Sequence, residues 1–427
     1  MSSPPRSPTI SVMTLGVGSF AYSVTQILKD AGASVGTYLT RDYGHQPPAM
    51  AGPTFSRESY PSPVPLILAG GTQLVIPQSI DWALQPWAKE LVASGVGILS
   101  PTGEGMRLER ERSFARDLCR LHGIPFPQSF VAPGLSDALA TVDRLGLPFV
   151  IKNPLCSPTS PVHTILCDSA AATREWLKHV DFTEGVFLQE YVGRAEVGHI
   201  ALVSGGEIYS CVTNQEYKRA FDGNQGIVAG APLGGLVERD PEDKYGLARE
   251  LLHPLLPWFR KVAYHGPVQV TAARHGGRWT VLEYNIRLGV TSGAMMLRQL
   301  ENPLEVLLGT AGNRPLAPVF RPERMFGCSV TLAGYGYPYT QVVGPPMPVD
   351  LLSPMETADC DLWWNEAGVS PAGRFLALGH RICDVIGFGK SLEDALSVTY
   401  RNIRRLRSPG SYFRTDVGRS LWPPGHE

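Results

Sequence analysis

The 427-residue sequence lacks the features that mark several large classes of protein. No apolar run approaches membrane-spanning length, and the polar, proline-rich start M-S-S-P-P-R-S-P has no apolar core of a secretory signal. The seven cysteines are scattered without a C-x-x-C pair, which argues against a disulfide framework or zinc site and favours a reducing cytosol. The net charge of −1 gives no electrostatic basis for binding nucleic acid or an anionic membrane. We therefore expect a cytoplasmic protein without nucleic-acid or membrane partners.

What is present is the composition of an ordinary globular protein, with 43% hydrophobic and 18% charged residues. The 45 glycines and 37 prolines indicate many turns between short elements, as in α/β or α+β folds. Residues 10–39 have the order strand, turn, helix, strand, which predicts a small doubly wound unit. Gly16 and Gly18 are a weak signal, because any tight strand-to-helix turn favours glycine, and no acidic residue ends the second strand to hold a ribose, so we do not predict a dinucleotide site.

Local patterns predict further elements along the chain. Residues 401–414 are basic, and we interpret them as a solvated helix end rather than a binding patch. Ser391 and Asp394 fit a capping box at the start of the last helix. The remaining predictions used below are a strand at 66–69, single helices at 80–93 and 106–122, a polar loop at 213–226 and one strand at 375–386.

The most informative stretch is W-T-V-L-E-Y-N-I-R-L-G, residues 279–289, which alternates like a β-strand. One face is apolar throughout, and the other begins with Trp279 and Val281 and continues with Glu283, Asn285 and Arg287. Glu283 and Asn285 offer hard oxygen ligands two residues apart, which suit Mg²⁺ better than zinc. Arg287 offers a fixed fork for phosphate or carboxylate oxygens. The alternative is a sheet edge with a salt bridge and a solvated amide.

Three earlier pieces complete a set that a nucleotide would need. Lys152 ends the buried strand P-F-V-I-K and could meet phosphates, although a lysine at a strand end is usually a surface residue. The segment Q-E-Y-V, residues 189–192, resembles a hinge whose backbone could pair with a flat polar ring. Glu196 follows it and could accept hydrogen bonds from ribose hydroxyls. Each residue alone is weak, and the order and spacing of the set carry the prediction.

With these motifs the sequence resembles the ATP-grasp ligases, and among them the glycinamide ribonucleotide synthetase family. The resemblance extends over nearly the whole chain. Its segments are L-E-R-E-R-S-F-A-R-D-L with H-G-I-P, P-F-V-I-K, Q-E-Y-V, N-Q-E-Y-K-R-A-F-D-G, V-L-E-Y-N-I-R-L-G and the closing S-Y-F-R-T-D-V-G.

The resemblance implies an α/β fold in three parts. These are an N-terminal doubly wound α/β domain (residues 1–102), an ATP-grasp core with a small lid (103–318, lid about 124–192) and a C-terminal α+β domain (319–427). It also implies chemistry in which ATP phosphorylates a carboxylate and an amine then attacks the acyl phosphate. The products are an amide, ADP and phosphate. The implied partners are small-molecule carboxylate and amine substrates, and the chain is expected to be a monomer or homodimer.

The resemblance further implies a role for each site residue. ATP would be the cofactor, together with Mg²⁺ or Mn²⁺, and phosphoryl transfer would depend on positioning and charge neutralisation. The implied metal ligands are Glu283 and Asn285; the implied nucleotide-binding residues are Arg112, Lys152, Gln189, Glu190, Val192 and Glu196; the implied catalytic residues are Arg287, Lys218 and Arg219.

The sequence departs from the family pattern mainly around the substrates. The lid loop after Lys152 is not glycine-rich but reads L-C-S-P-T-S-P-V-H, and Pro158 and Pro161 remove backbone donors. The N-terminal element that serves the phosphoribosyl substrate in the family reads V-G-S-F-A-Y-S here, the family's G-P-E turn is I-P-Q at 76–78, and the loop at 289–294 lacks both of the family's carboxylates.

These departures favour a carboxylate–amine ligase with altered substrates. Two alternatives remain: an authentic phosphoribosylamine–glycine ligase with unusual loops, and a nucleotide-binding pseudoenzyme. The unusual lid loop favours the pseudoenzyme, whereas the retained set of Glu283, Asn285 and Arg287 argues against it.

Overall fold

In the computed structural model, which describes residues 9–41, 50–157, 160, 164–193, 195–334, 336–340 and 344–419, the chain begins with a parallel sheet. The strand order β3-β2-β1-β4-β5 is that of a doubly wound unit, as the sequence predicts. Its elements are β1 (Ser11–Gly16), α1 (Gly18–Asp30), β2 (Ser34–Leu39), β3 (Thr54–Ser56), α2 (Val64–Ala69), β4 (Leu74–Pro77), α3 (Ala88–Ala93) and β5 (Gly97–Ile98).

Two predictions for this region are wrong. The strand predicted at 66–69 is part of α2, which has proline in its first turn and buries Val64 and Ile67, a helical spacing that a short apolar run does not reveal. The single helix predicted at 80–93 is a 3-10 helix, Ile80–Leu84, followed by α3. Pro86 lies in the break between them and is disfavoured inside a helix.

The helix predicted at 106–122 is also divided, and the division matters for the site. A 3-10 helix (Gly103–Met106) leads into α4 (Arg107–Arg110), and α5 (Arg112–Leu121) follows. Glu111 between them is extended, with φ −118° and ψ 102°. Its backbone forms a bridge with Leu155, so that this corner is tied to the segment after Lys152.

A small four-stranded sheet follows, with the order β6-β9-β7-β8. It occupies most of the region that the sequence assigns to the lid. Side chains of β7 and β9, including Phe149, Ile151 and Leu188, pack against its two helices. The elements are β6 (Ser129–Ala132), α6 (Leu135–Leu145), β7 (Phe149–Lys152), β8 (Ile165–Leu166), α7 (Ala170–Leu177) and β9 (Val186–Glu190).

The central structure is an eight-stranded antiparallel sheet that carries most of the site. The polar segment predicted as a loop at 213–226 is mostly strand, because β11 continues to Glu216 and a short hairpin of β12 and β13 follows. The elements of this region are β10 (Glu196–Ser204), β11 (Glu207–Glu216), β12 (Arg219–Phe221), β13 (Gln225–Val228), β14 (Gly234–Arg239), α8 (Leu247–Leu251), α9 (Leu256–Lys261), β15 (Gly266–His275), β16 (Arg278–Asn285), α10 (Ser292–Gln299) and α11 (Pro303–Ala311).

The C-terminal part extends the same sheet and adds a three-stranded and a two-stranded sheet of its own. The order is β16-β15-β10-β11-β14-β17-β23-β20, so three strands beyond residue 318 continue it. The strand predicted at 375–386 is two strands, β22 and β23, while the capping box at Ser391 and Asp394 is confirmed. The elements are β17 (Phe326–Ala333), β18 (Met347–Pro348), β19 (Asp350–Leu351), β20 (Cys360–Trp364), β21 (Ala367–Val369), β22 (Phe375–Ala377), β23 (Arg381–Gly389), α12 (Leu392–Ile403) and β24 (Leu406–Arg407). None of the described helices has the length and hydropathy to cross a membrane.

A β-bulge interrupts β16 and corrects the predicted division of its faces. Thr271 of β15 pairs with Glu283 and Ala272 pairs with Val281, so Leu282 has no partner in the ladder. Trp279 and Val281 therefore lie in the same apolar cluster as Tyr284 and Ile286, not on the face of Glu283. The extra residue turns the second half of the strand so that its acidic and amide side chains face the cavity described below.

The basic C-terminal stretch is not simply a solvated helix end. Arg414 is 1% exposed, and its Nε and Nη2 donate to the two carboxylate oxygens of Asp416 at 2.9 and 2.7 Å. Its Nη1 donates to the carbonyl of Arg219 at 2.9 Å and to Asn224 Oδ1 at 3.2 Å. Arg414 therefore anchors the hairpin of β12 and β13.

Candidate active site

A cavity of about 530 Å³ lies between the lid sheet and the eight-stranded sheet. The strands β7 and β9 contribute one wall, and β11, β15 and β16 contribute the other. All eleven residues that the sequence assigns to a site line this one cavity, and their individual roles remain predictions: Arg112, Lys152, Gln189, Glu190, Val192, Glu196, Lys218, Arg219, Glu283, Asn285 and Arg287.

Glu283 is the carboxylate on which the cations of the cavity converge. Its Oε2 lies 3.8 Å from Arg112 and 4.0 Å from Lys152, and its Oε1 lies 3.6 Å from Lys218. Burial disfavours the charged carboxylate, but the three cations outweigh it and hold the pKa of Glu283 well below its ordinary value. Glu283 is therefore ionised throughout the neutral range and remains available as an oxygen ligand.

Lys218 is surrounded by three carboxylates. Its Nζ lies 3.0 Å from Glu196, 3.6 Å from Glu283 and 3.8 Å from Glu216. Burial disfavours the ammonium, yet these carboxylates raise the pKa of Lys218 above its ordinary value. Glu196, predicted to hold a ribose, is therefore paired with Lys218 in this structure.

Lys152 is an exception to the expectation of a surface lysine, since its side chain is only 6% exposed. Its Nζ donates to the carbonyl of Leu282 at 3.4 Å, the carbonyl that the bulge leaves out of the ladder. Burial lowers the pKa of Lys152 to about 8, although Glu283 opposes the shift. A second anionic neighbour, such as a phosphate, would stabilise the charged form of this buried lysine.

The other end of the cavity is formed where β9 ends. Gln189 Nε2 also donates to the Leu282 carbonyl, at 3.1 Å, while its Oε1 is buried without a hydrogen-bond partner among the residues that the structure describes. Glu190 pairs with the backbone of Gln128, and beyond it Val192 lines the cavity after the strand has ended. Polar backbone and an orphaned amide oxygen in one corner are suited to the edge of a purine ring.

The end of β16 holds the second predicted metal ligand and the arginine. Arg287 Nη2 donates to Asn285 Oδ1 at 3.1 Å, and Arg287 Nε donates to Glu109 Oε1 at 3.0 Å. Glu109 is the main reason that the pKa of Arg287 is raised. Arg287 is thereby fixed beside Asn285, with its side chain 31% exposed at the cavity.

Two further cations border the site. The break at Glu111 starts α5 at Arg112, whose Nε donates to the carbonyl of Asn153 at 2.8 Å. Arg219 on β12 donates through Nη1 to the Gly226 carbonyl across the hairpin at 2.8 Å. Both contacts use one part of the guanidinium and leave other donors for anionic oxygens.

The donor set fits a divalent cation and a polyphosphate. Glu283 and Asn285 supply hard oxygens on one strand, which is the ligand chemistry of Mg²⁺ and Mn²⁺. Lys152, Arg112 and Arg287 line the same cavity and supply the positive charge that phosphate oxygens require. The arrangement can thus hold a metal–nucleotide complex and neutralise charge during phosphoryl transfer.

The lid loop predicted to lack donors is described only in part. Ser157 lines the cavity, and Ser160 Oγ donates to Glu184 at 2.8 Å. Pro158, Thr159, Pro161 and His163 lie outside the described residues.

Sequence reasoning missed two acidic residues of the site. Glu216 lies two residues before Lys218, and its carboxylate accepts from Ser292 Oγ at 3.4 Å as well as facing Lys218. Treating residues 214–218 as a strand would have placed these two side chains on one face. Glu109 had no such signal, because its partner Arg287 is 178 positions away in the chain.

Comparison of the sequence with known proteins identifies related enzymes. The family model described as "Phosphoribosylglycinamide synthetase, ATP-grasp (A) domain" matches residues 110–291. The phosphoribosylamine–glycine ligase of Streptomyces coelicolor is 26% identical over 332 residues, covering 76% of this chain and 78% of that protein. The enzyme of the same name from Synechocystis is 28% identical over 346 residues, covering 77% and 80%.

Solved structures agree on the fold. The phosphoribosylamine–glycine ligase of Thermotoga maritima superposes with a TM-score of 0.75 at 20% identity, over 95% of this chain and all of that one. The biotin carboxylase of Campylobacter jejuni gives 0.69 at 13% identity, over 94% and 92% of the two chains. The region that the family model matches contains the lid sheet, strand β16 and every residue of the predicted site. Residues 110–291 therefore match the ATP-grasp domain of the phosphoribosylglycinamide synthetases, and the chain resembles the phosphoribosylamine–glycine ligases in sequence and fold.

Proposed function

We propose that the chain is an ATP-dependent carboxylate–amine ligase that forms an amide and releases ADP and phosphate. The observation that carries the proposal is the position of Glu283, with Asn285 beside it on β16 and with Lys152, Lys218 and Arg112 within 4.0 Å. The enzymatic class agrees with that of the relatives, which are named as ligases.

In the first half-reaction the substrate carboxylate attacks the γ-phosphorus of ATP, ADP leaves, and an acyl phosphate forms. A Mg²⁺ ion bound by Glu283 and Asn285 would supply charge neutralisation at the phosphate oxygens. Lys152 and Arg112 bind the phosphates of the nucleotide, and the orphaned Gln189 Oε1 accepts a hydrogen bond from its base. Arg287 orients the transferring phosphoryl group through its free donors.

In the second half-reaction the amine nitrogen attacks the acyl carbon, phosphate leaves, and the nitrogen loses a proton. Lys218 and Arg219 lie on the side of the cavity opposite the lid and stabilise the negative charge on the leaving phosphate. The lid sheet and the hairpin of β12 and β13 exclude water, which would otherwise hydrolyse the acyl phosphate.

The first candidate substrates are phosphoribosylamine and glycine. The comparisons favour this alternative over altered substrates. Two relatives named phosphoribosylamine–glycine ligase each match this chain over more than three quarters of their own length. The nucleotide-facing residues are compatible with either pair of substrates.

A different amine is the second candidate, and one feature of the N-terminal sheet favours it. In doubly wound sheets, ligands bind at the carboxyl ends of the strands where the order reverses, here between β1 and β4. Gln78 fills this crevice: its Oε1 accepts from Val17 N at 2.8 Å and lies 2.7 Å from the place of a Cβ on Gly16. Asn365 Oδ1 lies 2.3 Å from the place of a Cβ on Gly18.

These contacts concern the place where a phosphate would normally bind. The start of a helix such as α1 attracts anions through its free N–H groups, and here the amide oxygen of Gln78 accepts from one of them. Neither residues 17–22 nor Gln78 and Asn365 contribute a positive charge. A sugar phosphate would have to displace both amides without gaining an ion pair from these residues.

The deciding experiment measures ADP release by the purified chain over a matrix of carboxylates and amines that includes glycine with phosphoribosylamine. Turnover of that pair at a kcat/KM of about 10⁴ M⁻¹s⁻¹ or above, lost in Lys152→Met, supports the first candidate. The second candidate is supported if another pair is turned over and the chain does not rescue a purine auxotroph that lacks phosphoribosylamine–glycine ligase. Nucleotide binding without ADP release from any pair contradicts both and leaves the pseudoenzyme.

A further inference from the structure

Glu109 is a buried carboxylate next to the cavity but not one of its lining residues. It lies on α4, its side chain is 5% exposed, and it is far from the ion pairs of Glu283 and Lys218 in the chain. A buried carboxylate is costly unless donors surround it, so its partners explain its presence.

Both carboxylate oxygens of Glu109 accept hydrogen bonds from residues that directly follow β16. Oε2 accepts from Ile286 N at 2.7 Å, and Oε1 accepts from Arg287 Nε at 3.0 Å. Within the described part of the chain, β16 is at the edge of its sheet and ends at Asn285, so Ile286 N has no strand to pair with there. Glu109 supplies the missing acceptor and joins α4 to β16.

The contact to Arg287 fixes the direction of the guanidinium. The group is planar, and its Nε is held by Glu109 while its Nη2 is held by Asn285 at 3.1 Å. Two points of attachment determine the plane and leave the remaining N–H groups toward the cavity that Arg287 lines.

We propose that Glu109 is a positioning residue: one carboxylate sets both the end of the strand that carries Asn285 and the orientation of Arg287 toward the transferring phosphoryl group. The proposal depends on the function proposed above, since it presupposes that Arg287 meets that group. Glu109 does not touch the substrates and acts through Arg287.

The chemistry of the side chain makes the proposal specific. Ile286 N and Arg287 Nε each donate to a different oxygen of Glu109, so a replacement must place two acceptor oxygens at the same distance from α4. Glutamine offers a single acceptor, because its NH₂ group faces an N–H that it cannot satisfy. Aspartate keeps both oxygens but is one methylene shorter, so it cannot keep both bonds at their present lengths. Glu109→Gln and Glu109→Asp should therefore both release Arg287 or Ile286.

The test compares these variants with Glu111→Gln. Glu111 is two positions further along, and its carboxylate pairs at 2.9 Å with Arg107 near the surface instead of with the strand. We expect kcat for ADP release to fall about 10- to 100-fold in both Glu109 variants, as for other residues that orient a ligand. The dissociation constant of the nucleotide and the activity of Glu111→Gln should change little.

A double variant separates positioning from general damage. If Glu109 acts mainly through Arg287, Glu109→Gln should lower kcat far less in an Arg287→Met background than in the wild type, and the remaining loss reports its contact with the end of β16. An unchanged kcat in Glu109→Gln, an equal loss in both backgrounds, or a loss that follows only from unfolding at the assay temperature would overturn the proposal.

Structures of the wild type and Glu109→Gln supply a readout that needs no turnover. A displaced Arg287 guanidinium supports the proposal, and an unmoved one contradicts it. If no substrate pair releases ADP in the wild type, the proposed function fails, while these structures still decide whether Glu109 positions Arg287.

Discussion

At the scale of single residues, Glu283 is where the charges of the site meet. The three cations around it lie 3.6 to 4.0 Å away, close enough to attract it but longer than good hydrogen bonds. Such spacing leaves room for a metal ion to become the principal partner of the carboxylate.

Replacement of Glu283 by alanine should abolish most activity without unfolding the protein. A metal ligand is lost, and the three cations repel one another, so turnover should fall about 10²-fold or more. The apolar packing of Tyr284 and Ile286 is untouched, and the far-ultraviolet circular dichroism should be unchanged. Glu207→Gln, at an exposed pair with Arg260, is the matched control. Near-full activity of Glu283→Ala in the ADP-release assay would contradict the metal role.

The lowered pKa of Lys152 predicts a pH dependence of stability. In the folded protein this lysine is neutral above about pH 8, whereas in the unfolded chain it stays charged up to about its ordinary pKa. Between these two pH values the unfolded chain binds more protons than the folded protein, so the free energy of unfolding increases as the pH rises. Below about pH 8 both states are protonated, and the full cost of burying the ammonium lowers the stability of the folded protein.

Urea denaturation of the wild type and Lys152→Met at several pH values between 7 and 10.5 measures this effect. The wild type should gain stability relative to Lys152→Met as pH rises above about 8. A constant difference between the two proteins across that range would show that Lys152 has an ordinary pKa.

At the scale of elements, short irregularities determine where the functional side chains point. The bulge at Leu282 turns Glu283 into the cavity and presents one carbonyl to both Lys152 and Gln189. The break at Glu111 points Arg112 toward the same carboxylate. Regular strands and helices provide the scaffold, and the site lies at their interruptions.

Arg414 is the element-scale link between the C-terminal segment and the hairpin of β12 and β13. Arg414→Lys cannot reproduce the bidentate contact to Asp416 or the bond to the Arg219 carbonyl, so buried acceptors lose their donors. We expect a loss of about 3 kcal/mol in the free energy of unfolding and faster proteolysis within the hairpin.

Chemical denaturation and limited proteolysis measure these two effects. Arg401→Lys is the control, since Arg401 is 54% exposed in its pair with Glu356. Equal stability of the two variants would contradict an anchoring role of Arg414.

At the scale of the whole molecule, the cavity lies between two independently packed layers, the lid sheet with its own apolar cluster and the eight-stranded sheet. A ligand in the cavity should therefore add stability by joining them. With Mg²⁺, a nucleotide at about 100 times its dissociation constant should add roughly 2.7 kcal/mol. The melting temperature with ATP or ADP measures this gain, and Lys152→Met should reduce it. A flat response to ATP, ADP and analogues would exclude a nucleotide site.

Much of this architecture could be predicted from the sequence because local patterns carry it. The doubly wound start, the capping box and the residues gathered in the cavity follow from alternation, spacing and family resemblance. The bulge at Leu282 could not be predicted, since an uninterrupted alternation fits the same letters. The run at 66–69 is too short to distinguish strand from helix. Glu109 could not be identified as a site residue, because its partners Ile286 and Arg287 are 177 and 178 positions away in the sequence.

The surroundings of Lys218 have a consequence for the order in which ligands arrive. Its ammonium lies among Glu196, Glu216 and Glu283. Lys218 therefore competes for these carboxylates with any divalent ion that enters without a nucleotide. A bare metal ion must face this positive charge, whereas a nucleotide brings phosphates that can take Lys218 away from the carboxylates. We therefore expect metal and nucleotide to enter together as one complex, and free Mg²⁺ in the cell to leave the resting protein unloaded.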